Sequence, residues 1–210
     1  TLTWWGAPAG HWLAHPNIGD WIGAPNDAEE MAENISYLLQ YIRKTLGYNC
    51  VKELIIQNEP SYSFHVEGGA VDLDLYVACY KAMYKRLNDM GMGDIVLVGA
   101  DDAQNFGWFC SAVEALRDVC GKFNSHNYAW SYNHPFLDVV SQEFVSVRTA
   151  LAGDTPFFLG EFGDGSGIGA YYAASTETYG RGLYIASVVV NSFKAGAAGA
   201  SYWPLHDVYY

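Results

Sequence analysis

Hydrophobic residues along this chain fall into two alternating patterns, and their order predicts a parallel α/β fold. Short continuous runs such as Ile95-Val96-Leu97-Val98-Gly99-Ala100 and Phe157-Phe158-Leu159 have the length and composition of strands covered on both faces. Between them, apolar residues recur every three or four positions, as on one face of a helix. The reading gives six strands, near 1–5, 53–58, 95–100, 123–128, 157–161 and 199–203, and five helices between them. Strands alternating with helices are the mark of repeated βα units around a parallel sheet.

The helices have physical start and stop signals. The first opens with Asn26 as N-cap and Glu29 three residues on, and carries Met31, Ile35, Leu38, Leu39, Ile42 and Leu46 on one stripe before Gly47. The second opens at Asp72 and runs through Leu75, Tyr76, Cys79, Met83, Leu87 and Met90 to Gly91. Helices near 108–120, 137–152 and 177–195 are read as stopping at Gly121, Gly153 and Gly196. Six units in 210 residues is about 35 residues per unit, whereas a closed eight-unit barrel takes about 250 residues in all. The expectation is a (β/α)8 TIM barrel that is incomplete, lacking its first two βα units and last helix, with residues 1–210 as one catalytic domain truncated at its N-terminus.

Two of the apolar runs end abruptly in a carboxylate: Ile55-Ile56-Gln57-Asn58-Glu59-Pro60 and Phe157-Phe158-Leu159-Gly160-Glu161-Phe162-Gly163. A carboxylate at the end of a buried strand must be paired, hydrogen-bonded or functional. Lys and Arg total only 11, and none lies within five residues of either glutamate, so a structural ion pair is the weaker explanation. At the C-terminal end of a barrel strand, such a group reads as catalytic.

Composition narrows the chemistry. A net charge of −12 with no basic cluster argues against nucleic acid as a partner. No apolar stretch is long enough to span a membrane. Sixteen Tyr, ten Phe and seven Trp supply core material and also the flat faces on which sugar rings stack. Cys50, Cys79, Cys110 and Cys120 show no paired metal-ligand spacing, so zinc is not expected and buried small hydrophobes are the simplest reading. His11 and His15 have helical ligand spacing, but Pro8 and Pro16 bracket them and deny a helix interior. The stretch from Gly165 formally fits a dinucleotide fingerprint, yet no Asp or Glu follows between Glu177 and Asp207. It is read as a loop, and no cofactor is expected. Ser166 lacks the flanking glycines of a hydrolase elbow.

The ordered set of motifs resembles the clan A glycoside hydrolases, and within them family-five-like retaining β-glycanases and β-glycosidases. Asn58-Glu59-Pro60 looks like their acid/base strand four, and Leu159-Gly160-Glu161-Phe162-Gly163 like their nucleophile strand seven. Ser125-His126-Asn127-Tyr128 then resembles strand six, Ser201-Tyr202-Trp203 strand eight, and Thr3-Trp4-Trp5-Gly6 strand three. The resemblance covers strands three to eight. Strands one and two, which in this clan often supply an arginine beside the nucleophile, have no counterpart in the sequence.

The resemblance implies a retaining β-glycoside hydrolase acting on a neutral β-linked poly- or oligosaccharide, with Glu59 as acid/base and Glu161 as nucleophile. It implies that Asn58 binds the sugar 2-hydroxyl and that Tyr128 orients Glu161. His126 would line the same subsite, or serve as a satisfied core histidine. Trp203 would be a stacking platform, or packing at the barrel mouth; Trp5, Trp12, Trp108 and Trp130 are looser aromatic candidates at the rims. Secretion is expected from the substrate class. A non-catalytic carbohydrate-binding remnant of such a barrel is the competing reading, favoured if the natural chain begins at Thr1.

Overall fold

The computed structural model describes residues 1–3, 22–131, 133–163 and 179–203. They form two compact units, residues 1–123 and 124–210. The first contains strands β1 (Leu2–Thr3), β2 (Glu53–Ile55) and β3 (Val96–Ala103) and helices α1 (Ala28–Gln40), α2 (Pro60–Ser63), α3 (Leu73–Asp89) and α4 (Phe106–Leu116). β1 pairs in parallel with β2, Leu2 opposite Leu54, and β2 in parallel with β3, Leu54 opposite Leu97. The apolar runs are buried as their composition demands: Leu54, Ile56, Leu97 and Val98 are in the core, as are Ile35 and Leu39 of α1, Tyr80 and Met83 of α3 and Phe109 of α4. Each such side chain removed from water contributes about 1.5–3 kcal/mol.

Local chemistry sets the helix ends. Asp27, not Asn26, caps α1, its Oδ1 accepting from Glu29 N at 2.8 Å and Glu30 N at 2.9 Å. Neighbouring Asn and Asp are equally good caps, so sequence could not choose between them. The helix then widens into a π turn over Tyr41–Thr45. Arg43 in that turn makes two 2.7 Å hydrogen bonds to the Asp94 carboxylate, which holds it down at a pKa of about 2. Asp72 caps α3 as expected, accepting from Leu75 N at 3.0 Å. α4 starts earlier than expected, because Asn105 caps it, and stops at Leu116. Gly121 is therefore not a helix stop; a Cβ there would come within 2.8 Å of Val96 Cγ1, so close packing against β3 is what excludes a side chain.

The second unit holds β4 (Lys122–Asn127, whose first two residues close the first unit), α5 (Leu137–Ala152), β5 (Phe157–Phe162), α6 (Tyr179–Lys194) and β6 (Gly199–Tyr202). β4, β5 and β6 are neighbours in chain order. β5 and β6 are parallel, with a register shift between Leu159 and Phe162. Their core is Trp130, Leu159, Phe162, Tyr184 and Val188, with the Trp130 ring edge-on to Phe144 at 5.5 Å. Arg148, buried, places its guanidinium 3.6 Å from the Phe144 ring centre and donates from Nε to Ser125 Oγ at 2.9 Å. The helix stops at Gly153 and Gly196 fall as expected, both with positive φ.

Two expectations are corrected here. Cys79 and Cys120 are buried, and burial pushes the Cys79 thiol up to about 12, but Cys50 is exposed and Cys110 half-buried; all four are free thiols. Trp108 and Trp130 are core residues rather than rim aromatics, at 9% and 5% exposure. No helix among the described residues is long and apolar enough to cross a membrane.

Candidate active site

Glu59 closes the turn after β2 in a conformation its own sequence opposes. It has φ 46° and ψ 54°, the left-handed region, although it is neither Gly nor Asn and stands before Pro60. A residue before proline is normally driven to extended backbone, and a strained residue of this kind costs about 1–3 kcal/mol. Surrounding bonds hold it there. The Glu59 carbonyl accepts from Tyr62 N at 2.8 Å, Ser63 N at 2.9 Å and Ser63 Oγ at 2.9 Å. Ser63 Oγ also donates to the Asn58 carbonyl, and buried Gln57 donates from Nε2 to Ser63 Oγ at 3.1 Å. The Glu59 amide donates to Asp101 Oδ2 at 3.2 Å. Asn58 and Glu59 are half-buried. The segment after Glu59 begins as the single helical turn α2, with Pro60 at its first position.

Glu161 lies near the end of β5 with its side chain 20% exposed. Tyr128, just past β4, donates its hydroxyl to Glu161 Oε2 at 2.8 Å. His126, within β4 and 2% exposed, brings Nδ1 to 3.5 Å from the same oxygen. Two side chains, one from β4 and one just past it, are therefore gathered on one carboxylate of β5. Gly163 makes that approach possible: a Cβ there would meet Tyr128 Cε1 at 2.8 Å, so the phenol ring lies directly on the Gly163 backbone. The Gly163 carbonyl accepts from Tyr184 Oη at 2.7 Å, which ties the end of β5 to α6. Trp203 follows β6, 38% exposed, with its amide donating to the Phe162 carbonyl at 2.9 Å.

Trp5 and Trp12, His11 and His15, and the glycine-rich stretch 164–170 lie outside the described residues. Asp101 is the residue sequence reasoning passed over. It follows the apolar run of β3 as Glu59 and Glu161 follow theirs, and this shared pattern of strand, then carboxylate, was the available signal. It is 1% exposed.

The fold, α/β with parallel strands and intervening helices, resembles that of TIM-barrel glycoside hydrolases. Among solved structures, the chain is similar to a GH39 β-xylosidase from Caulobacter crescentus, with 14% identity over 93% of this chain and 42% of that one, and a TM-score of 0.65. It is similar also to the catalytic domain of GH30 xylanase C from Talaromyces cellulolyticus, at 16% identity, 96% and 46% coverage and a TM-score of 0.57. A 4-O-α-L-rhamnosyl-β-D-glucuronidase from Fusarium oxysporum matches at 13% identity, 85% and 42% coverage and 0.56. The chain thus spans less than half the length of these structures. At these identities they show a shared fold, and they give no support to the family-five-like placement. No protein-family model and no curated protein matches the sequence.

Proposed function

We propose that this chain carries the catalytic residues of a retaining β-glycoside hydrolase acting on neutral β-linked glycans. The observation that carries the proposal is the paired hold on Glu161: a phenol hydroxyl at 2.8 Å and an imidazole nitrogen at 3.5 Å fix one carboxylate oxygen. Support comes also from the strained, braced Glu59 at the end of β2, because strain of this kind concentrates at functional sites. Shared fold with glycosidases raises the same reading by analogy.

The chemistry follows from the two carboxyls. Glu161, ionised, attacks the anomeric carbon and forms an ester bond to it as the bond to the leaving oxygen breaks, while Glu59 gives that oxygen its proton. Water then enters, Glu59 takes its proton, and the ester bond breaks to release a sugar with the β configuration restored. Asn58 would hold the 2-hydroxyl, and Trp203 would offer its exposed face to the sugar ring. His126 and Tyr128 act on Glu161 rather than on the sugar. A polymer substrate places the protein outside the cell.

The experiment is turnover of aryl β-xylosides, β-glucosides and β-mannosides by the full-length protein and by Glu59→Gln and Glu161→Gln. Both variants are expected to lose at least about a hundredfold in kcat/KM on phenyl glycosides. Wild-type rates in either would reject its assigned role. Binding of xylan or glucan without any turnover would favour the carbohydrate-binding remnant.

A further inference from the structure

Four residues other than glycine have positive φ among those described, Glu59, Ala100, Asp101 and Gln104, and all fall at the ends of two neighbouring strands. Ala100 at φ 66° and Asp101 at φ 45° bend the backbone within β3, where an extended conformation would be ordinary. The bend is braced from behind. The Ala100 carbonyl accepts from Trp108 Nε1 at 3.2 Å and from Tyr76 Oη at 3.4 Å, and the Val98 carbonyl accepts from Tyr80 Oη at 2.5 Å. All three aromatic side chains are buried. Beyond the bend, Ala103 N donates to Ser61 Oγ at 3.0 Å, a second tie between the end of β3 and the turn that follows Glu59.

Strain at two places, joined by a hydrogen bond between them, indicates that one bend exists to serve the other. A straight β3 would carry the residue 101 side chain to the alternate face, as any one-residue change of pleat does. With the bend, the Asp101 carboxylate meets the Glu59 amide at 3.2 Å. A hydrogen bond from an amide to a carboxylate is charge-assisted and so about twice as strong as a neutral one. It holds the left-handed Glu59 backbone that the following proline disfavours.

We infer that Asp101 is a positioning residue for Glu59: its carboxylate, set by the braced bend of β3, fixes the backbone from which the acid/base side chain projects. This rests on the reading of Glu59 as acid/base. Asp101 touches no reacting atom, and its effect is on where the proton donor stands. The signature is therefore dependence on the leaving group. A phenoxide needs the proton as the bond breaks, whereas 2,4-dinitrophenolate departs without it.

The test compares kcat/KM on phenyl and 2,4-dinitrophenyl β-xylosides, or the sugar the screen selects, for Asp101→Ala, Asp101→Ser and Asp101→Asn in the full chain. Circular dichroism checks each fold. Asp101→Ala and Asp101→Ser are expected to lose about tenfold to a hundredfold on the phenyl substrate and less than about threefold on the dinitrophenyl one. Asp101→Asn keeps an acceptor oxygen and is expected to recover most of the loss. Equal losses on both substrates, no loss, or unfolding of both the Ala and the Ser variants would overturn the inference, the last because the role would then be structural. Glu59→Gln run alongside separates the two claims. If it shows the leaving-group signature and Asp101→Ala does not, only the positioning role fails; if it is unaffected, the acid/base reading fails and this role with it.

Discussion

Tyr128 determines how Glu161 is presented, and it does so through three unrelated local facts. The residue sits one position beyond β4, its ring lies on a strand end kept bare by Gly163, and its hydroxyl reaches Oε2 at 2.8 Å. A hydrogen bond to an ionised group contributes about 1.5–3 kcal/mol. If it also fixes the attacking trajectory, Tyr128→Phe should lower kcat on phenyl glycosides by about tenfold to a hundredfold with little change in KM, measured by steady-state kinetics. A change confined to KM would place Tyr128 against substrate instead. His126 is held differently: buried to 2% and 3.5 Å from the same oxygen, it is both a core residue and a neighbour of the carboxylate.

Strands were readable because their apolar runs have few alternatives. All six fall where the runs lie, though β3 extends through Asp101 and Asp102, past the last apolar residue. Two adjacent aspartates interrupt the apolar pattern, whereas the strand carries them buried. Helix interiors were legible for the same reason, while the cap at Asp27 and the turn α2 depended on side-chain geometry that spacing does not encode. Gly160 illustrates how a strand position serves a site. A Cβ there would overlap Asn124 Nδ2 and approach His126 Cδ2 at 3.2 Å, so β4 and β5 lie close because this residue has no side chain. Gly160→Ala should therefore destabilise the protein by about 1–3 kcal/mol and displace His126 from Glu161. Chemical denaturation checks the first effect, and an unchanged midpoint would show that β4 yields without cost.

At the scale of the molecule, parallel strands in chain order with helices between them are what the alternating pattern predicted, and they are shared with glycosidases of two families at 13–16% identity. The fold expected from the sequence is the one found, while the family-five-like placement gains no support from these neighbours. The pairs Asn58-Glu59 and Glu161-Phe162 carry the resemblance read in the sequence, whereas differences between families reside in loops whose sequences carry no readable code. The central claim is that Glu161 forms a covalent bond to sugar. It is tested most directly by incubating the full-length protein with 2,4-dinitrophenyl 2-deoxy-2-fluoro-β-xyloside, or the 2-fluoro analogue of the sugar it turns over, and locating the label by peptide mass spectrometry. One fluorosugar per chain, attached to Glu161, is expected, with loss of activity in step. A label on another carboxylate, or turnover of the parent glycoside with an α-configured first product, would contradict it.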